Sequence, residues 1–269
     1  MKKPLIILAG PTAVGKTSLS IGLAKALDGE VISADSMQVY KKMNIGTAKI
    51  RPEEMQGVRH HLIDILEPTE EFNIALFQKY AKNAMEEIYS HGKCPILVGG
   101  TGFYIQSVLY DIRFSETEAD TSYREELERI AKEQGAESLF EILQKADPAS
   151  CKTIHPNNVK RVIRALEYFK QTGEPISSHN ELEKQRMSPY EFRYYVLSLD
   201  RSFLYDRINR RVDQMREEGL VEEVKSLMEQ GCTEQMVSMQ GLGYKEIIDA
   251  LKGRDTFEHA FEKMGRMRL

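Results

Sequence analysis

The segment Gly10-Pro11-Thr12-Ala13-Val14-Gly15-Lys16-Thr17 constrains this chain more than any other. It fits the pattern G-x-x-x-x-G-K-[ST], and its flanks fit as well. The apolar run Leu5-Ile6-Ile7-Leu8-Ala9 before it reads as a buried strand, and Ser18 to Leu27 after it reads as a helix. Strand, glycine-rich loop and helix N-terminus in that order make a cradle for phosphate, because backbone N–H groups and the helix dipole converge on one point. In such a cradle Lys16 supplies a mobile positive charge, and the Thr17 hydroxyl is placed to ligate Mg²⁺. The motif leaves open which phosphate compound is held and for what purpose.

Three further segments read as core strands: Glu30 to Ala34 ending at Asp35, Cys94 to Val98 ending at Gly99-Gly100, and Tyr194 to Leu199 ending at Asp200. Helical patterns lie between them, notably over 72–90. The alternation predicts an α/β fold, a P-loop-containing parallel sheet flanked by helices. Ligands on such sheets sit beyond the carboxyl ends of the strands, which puts the phosphate loop, Asp35 and Thr101 on one rim. Between about Arg113 and Pro189 the strand pattern disappears. Tyr123 to Gln134, Glu137 to Ala146 and Val159 to Lys170 read instead as amphipathic helices. The expected organisation is an α/β core of 1–113 and 190–269, with an inserted helical domain at 114–189. The last third, Phe203 to Met228 and Tyr244 to Leu251, reads as helical.

Apolar residues at 41% and charged residues at 29% describe an ordinary globular chain, and a net charge of −4 argues against a uniformly basic coat for nucleic acid. A local basic groove remains compatible with that balance, since only charge near the ligand governs steering. Cys94, Cys151 and Cys232 are odd in number and widely spaced, which argues against a disulfide framework or a zinc site. Met1-Lys2-Lys3 with the apolar run after it superficially resembles a signal peptide. The run is too short, and the phosphate loop interrupts it where cleavage would fall. No stretch approaches the length of a membrane span. A cytoplasmic protein that contacts no membrane is expected, and nothing demands a partner chain, so a monomer is expected too.

Asp35 ends a strand beside the phosphate loop, where a carboxylate can ligate Mg²⁺ through water or abstract a proton; the position favours such a role over a cap of the following turn, which Asp also suits. The strand before Gly99-Gly100-Thr101-Gly102 ends without the metal-holding aspartate of motor-type P-loop proteins. Glycines there allow close approach of another molecule or a tight turn, and Thr101 offers one hydroxyl. Nucleotide hydrolysis driving motion thus loses ground to small-group transfer. After Pro156, helical spacing puts Asn157, Arg161, Arg164 and Tyr168 on one face and Val159, Val162, Leu166 and Phe169 on the other. The polar face suits phosphate contacts, or is simply solvated. Arg207, Arg210 and Arg211 extend the positive charge with the same two readings. His60-His61 lacks metal-ligand spacing and reads as structural.

Together these segments resemble one family, the tRNA dimethylallyltransferases (tRNA isopentenylpyrophosphate transferases). The resemblance is carried by the phosphate loop, Asp35-Ser36-Met37-Gln38-Val39-Tyr40, Met43 to Lys49, His60-His61-Leu62-Ile63-Asp64 and Gly99 to Tyr104. His155 to Glu167 and Gly241-Leu242-Gly243-Tyr244-Lys245-Glu246 complete it. It implies transfer of a dimethylallyl group from dimethylallyl diphosphate to the exocyclic amine of the adenine 3′ to the anticodon. The loop Gly10 to Thr17 would hold the departing pyrophosphate, with Lys16 and Mg²⁺ on Thr17 neutralising its charge. Asp35 would accept a proton or hydrogen bond from the amine, and Thr101 would support the reacting groups. Asp35, Ser36, Met37, Gln38 and Thr101 would meet the flipped-out base. Arg124, Lys160, Arg161 and Arg164 of the insertion would grip the anticodon stem-loop of tRNA. Members of the family continue past Leu269 with a basic segment and a Trp-Phe pair, so some RNA-contacting charge is expected to be missing from this count. The rival expectations are a small-molecule kinase using ATP at the same loop, prenyl transfer to free adenine nucleotide, and a non-enzymatic nucleotide-dependent RNA-binding module.

Overall fold

In the computed structural model, which describes residues 2–114 and 121–266, five strands form one sheet in which every pairing is parallel. The strands are β1 (Lys3–Ala9), β2 (Gly29–Ser33), β3 (His60–His61), β4 (Cys94–Gly99) and β5 (Tyr190–Val196), in the spatial order β3-β2-β4-β1-β5. Because all five run the same way, the phosphate loop after β1, Asp35 after β2 and Thr101 after β4 emerge at one rim. Backbone bonds from Ala34 N to Val98 O (2.7 Å) and from Leu197 N to Ala9 O (2.8 Å) extend the ladders to that rim.

The central strands carry apolar side chains on both faces, as a parallel sheet covered on both sides requires. Leu5, Ile7, Leu8, Ile32, Ile96 and Leu97 are all essentially inaccessible. Strand β5 begins at Tyr190, four residues before the expected Tyr194, and ends at Val196. It pairs with β1 from Lys3–Tyr190 to Ala9–Val196. Its side chains are mostly exposed, so it lacks the apolar run that marks a buried strand.

Helix α1 (Lys16–Ala26) follows the phosphate loop, and α2 (Ile74–Ser90) starts where the Asn73 side chain accepts from Leu76 N at 3.0 Å. Helix α3 (Gly102–Leu109) starts within the glycine segment, for which composition indicates a tight turn or a close approach but no helix. The helical run expected over 203–228 is two helices, α8 (Arg201–Glu217) and α9 (Leu220–Glu229), separated by Gly219 at φ 96°. That left-handed conformation ends a helix and suits glycine. Helices α10 (Tyr244–Leu251) and α11 (Phe257–Arg266) complete this part.

The chain divides into two compact units, one of residues 1–109 with 188–269 and one of 110–187. Residues 115–120, near the start of the expected insertion, lie outside the described residues. The second unit is helical: α4 (Thr121–Glu133), α5 (Ala136–Ala146), α6 (Val159–Thr172) and α7 (Ile176–Lys184). Leu127, Leu139, Leu143, Val162 and Leu166 form its core, so α4, α5 and α6 close on one another. Asp147 is buried beneath them and accepts from the hydroxyls and backbone N–H groups of Ser150 and Ser177. Among the described residues no helix is long and apolar enough to cross a membrane.

Candidate active site

The phosphate loop turns on left-handed residues, Ala13 at φ 61° and Gly15 at φ 103°, and Gly15 caps α1. Val14 is buried and packs against Leu204 and Ile208 of α8, so only its backbone faces the cradle. Gly10 has no room for a side chain, because a Cβ there would lie 2.7 Å from Leu197 O. Lys16 Nζ donates to Gly10 O (2.9 Å) and Pro11 O (2.7 Å), which places the ammonium across the mouth of the loop. Burial pushes the Lys16 pKa down; the Asp35 carboxylate opposes that shift, and the Arg211 guanidinium adds to it. Those three charged groups therefore share one field.

Packing of α8 on the loop brings in two residues whose role the sequence left open. Arg211 donates from Nη1 to Thr12 Oγ1 at 3.0 Å, and its pKa is lowered by burial. The Arg207 guanidinium lies within 4.0 Å of the point a Cβ on Gly15 would occupy. Leu204 and Ile208 bury one stripe of α8, and Arg207 and Arg211 follow each by three residues. That spacing was readable; that the stripe seats on the phosphate loop was not. Arg210, named with them, is exposed.

Asp35 does cap the next turn: its Oδ1 accepts from Met37 N (2.8 Å) and Gln38 N (3.3 Å). That leaves Oδ2 directed by a fixed carboxylate plane. Gln38 is held between Ser33, whose Oγ donates to Gln38 Oε1 (3.2 Å), and the carbonyls of Thr47 (3.3 Å) and Ala48 (3.5 Å). Behind this loop stand Tyr40, Phe72, Phe77 and Tyr104, with Phe77 and Tyr104 stacked at 4.4 Å. Burial raises the Tyr104 pKa, and the Asp35 charge raises it further.

Thr101 precedes α3, and its carbonyl accepts from Ile105 N at 3.2 Å. The neighbouring glycines answer to the chain itself. A Cβ on Gly99 would sit 2.4 Å from Ala34 O, and one on Gly100 would sit 3.3 Å from Gly10 O. Close strand approach requires Gly99, whereas Gly100 is only tightly placed and Gly102 has open space around it.

A cavity of about 70 Å³ opens beside Lys16, Thr17 and Asp35, walled by Val31, Ile50, Ile63 and Val98 with Ser33, Gln38 and His60. His60 Nδ1 lies 2.9 Å from Val58 O, whereas the buried Nε2 has no hydrogen-bond partner among the described residues. Burial holds its pKa below the usual imidazole range, so the ring is neutral near pH 7. His61 is structural: its Nε2 lies 2.7 Å from Glu30, which Lys93 also reaches at 3.1 Å. Among the described residues no three His, Cys, Asp or Glu side chains form a metal cage.

The remaining expected contacts lie in the helical unit. Lys160, Arg161 and Arg164 are exposed on α6. Arg124 is not simply displayed: its Nε and Nη2 donate to the buried Glu167 carboxylate at 2.8 and 2.7 Å. Tyr168, expected on the polar face of α6, is buried and lies against His179, with ring centroids 5.4 Å apart. Helix α7 covers that end of the face.

The family described as IPP transferase matches residues 38–268 of this chain. The chain belongs to that family. As an IPP transferase it is 60% identical over 256 residues to the tRNA dimethylallyltransferase of Lachnoclostridium phytofermentans, a match covering 95% of this chain and 82% of that one. The tRNA dimethylallyltransferase of Carboxydothermus hydrogenoformans is 52% identical over 260 residues, covering 97% and 83%. Among solved structures, the tRNA isopentenylpyrophosphate transferase of Bacillus halodurans is 48% identical with a TM-score of 0.71, covering 99% of this chain and 82% of that one. A eukaryotic dimethylallyltransferase acting on tRNA is 32% identical with a TM-score of 0.83, covering 98% and 66%.

Proposed function

We propose that this IPP transferase moves a dimethylallyl group from dimethylallyl diphosphate to the exocyclic amine of the adenine 3′ to the anticodon of tRNA, and that it does so in the cytoplasm. The observation that carries the reading is the meeting at one rim of an anion cradle, a fixed carboxylate and a small recess of mixed polar and apolar lining. The diphosphate lies across the phosphate loop, where backbone N–H groups, Lys16, Arg211 and Arg207 meet its charge. Val31, Ile50, Ile63 and Val98 give one side of that recess an apolar surface against which the hydrocarbon of the donor would lie.

In the transfer step the amine lone pair forms a bond to the allylic carbon. The bond from that carbon to the diphosphate oxygen breaks, and its electrons leave with pyrophosphate. The surplus proton on nitrogen passes to Asp35 Oδ2. An aryl amine is a weak nucleophile, so alignment and a nearby base matter more than intrinsic reactivity. Lys16 and the two arginines stabilise the charge that grows on the leaving oxygen. Thr101, at the start of α3, supports the reacting groups.

The oxygen donors at this rim fit Mg²⁺, which takes few protein ligands and keeps water and phosphate oxygens for the rest. Thr17 Oγ1 and, through water, Asp35 would hold it, and bound there it supplies positive charge for the leaving pyrophosphate. The bundle of 110–187 presents Lys160, Arg161 and Arg164 to the backbone of the anticodon stem-loop. Replacing Asp35 with Ala tests the assignment. The single-turnover rate should fall about 10²–10⁴-fold with little change in tRNA affinity. A large loss of affinity at an unchanged rate would make Asp35 a binding residue instead.

A further inference from the structure

The loop that carries Asp35 and Gln38 runs into backbone that L-residues rarely adopt. Lys42, Ala48, Leu62 and Asp64 have φ of 64°, 44°, 63° and 55°. Such backbone persists only where its surroundings over-determine it, and it clusters at functional sites. Two side chains do this here. Lys49 is buried and donates to Tyr40 O (2.6 Å) and Asn44 Oδ1 (3.1 Å) while pairing with Asp64 Oδ1 (2.5 Å). The other is Glu223 of α9, far away in sequence.

One carboxylate gathers four donors. Glu223 Oε2 accepts from the backbone N–H of Asn44 (2.8 Å) and Ile45 (2.8 Å). Its Oε1 accepts from Gly46 N (3.1 Å) and the Tyr244 hydroxyl (2.6 Å). Tyr244 itself is fully buried, and its ring packs on Gly46, where a Cβ would lie 2.5 Å from Tyr244 Cε2. The next two residues, Thr47 and Ala48, turn their carbonyls to the Gln38 amide, and the Gln38 N–H donates to Asp35. A second contact runs in parallel: Gly241 packs so closely on Met37 that a Cβ would lie 2.5 Å from Met37 Cε. The segment Gly241-Leu242-Gly243-Tyr244 thus backs the Asp35 loop at two points.

We propose that Glu223 and Tyr244 are positioning residues that set the Asp35–Gln38 loop against the phosphate cradle. Neither touches substrate. They act by locking residues 44–48, which in turn fix Gln38 and the plane of the Asp35 carboxylate. The proposal rests on the role given to Asp35 above. A displacement of about 1 Å at a reacting group can cost on the order of 10²-fold in rate, which sets the scale of the effect.

The test compares E223Q, Y244F, D35N and the double variant D35N/E223Q in single-turnover dimethylallyl transfer to unmodified tRNA. Binding of inorganic pyrophosphate serves as the control for the cradle. E223Q should transfer about 10²-fold more slowly, because its amide N–H₂ faces backbone donors, and Y244F about 10-fold more slowly. Pyrophosphate affinity should stay within about twofold. If Glu223 works only through Asp35, D35N/E223Q should be no slower than D35N, a non-additivity that general destabilisation does not produce. Y244F keeps its ring against Gly46 and loses only one hydroxyl, so it answers the question if E223Q folds poorly. Slow D35N beside near-normal E223Q and Y244F would overturn the positioning role alone. A normal rate for D35N would overturn the reading of Asp35, and the positioning role with it.

Discussion

Replacing Arg124 with Ala separates two roles for that residue. Its guanidinium makes two short bonds to Glu167, a carboxylate that is only 2% exposed, so removing it strands a buried charge. Hydrogen bonds to charged groups contribute about 1.5–3 kcal/mol. The Arg124 side chain is 48% exposed, so water reaches the vacated site and the two bonds together come to about 2 kcal/mol rather than their full sum. For cooperative unfolding of a chain this size that is roughly 4–8 °C in Tm. Hydrogen exchange is more local: amides of α4 and α6 should exchange roughly 30-fold faster, the same energy read as an opening constant. Substituting both partners with apolar residues, Arg124→Met with Glu167→Leu, should recover most of the loss, since no charge is then stranded. tRNA affinity measured on the same proteins shows which role matters. If Arg124 only ties α4 to α6, the double variant recovers affinity along with stability. If it meets a phosphate, both variants lose affinity equally. Unchanged exchange in α4 and α6 on removing Arg124 would refute the anchoring argument.

Lys16 has a depressed pKa, and only its charged form attracts the diphosphate. As pH rises through that pKa the charge is lost, so pyrophosphate affinity should fall at a pH below the ordinary lysine range; Lys16→Arg should abolish that alkaline limb in a titration followed by calorimetry. Gly99→Ala would drive a methyl to 2.4 Å from Ala34 O and should cost about 1–3 kcal/mol by denaturant unfolding. Gly102→Ala, with nothing within 4 Å, should be neutral or stabilising by about 0.4–1 kcal/mol.

What the sequence made legible was local. Leu5 to Ala9, the glycine loop and α1 follow one another, and each is marked by its own composition. Helix α10 begins and ends at the residues its periodicity indicated, Tyr244 and Leu251. Strand β5 was misplaced because an exposed edge strand carries no continuous apolar run. The break at Gly219 was legible in principle: the buried stripe Leu204, Ile208, Met215 of α8 does not continue in phase into Leu220, Val224, Leu227 of α9, and the glycine falls at the jump. Tertiary facts were beyond reach. Tyr168 shares a helical face with Arg161 and Arg164, yet α7 buries it. Arg211 meets Thr12 across 199 residues, and Glu223 meets Asn44 across 179; no local pattern encodes either contact. At Asp35 the capping role and the proposed chemical role need not exclude each other, since the backbone donors of Met37 and Gln38 both go to Oδ1.

A phosphate cradle that holds the leaving group of a prenyl donor leaves a signature in where the hydrocarbon goes. Incubation with dimethylallyl diphosphate labelled in its hydrocarbon, Mg²⁺ and either unmodified tRNA or AMP tests it directly. Label should appear on tRNA, with one pyrophosphate released per label, and none on AMP. Label on AMP, or no transfer alongside ATP-dependent phosphorylation of a small molecule, would contradict that role for the cradle.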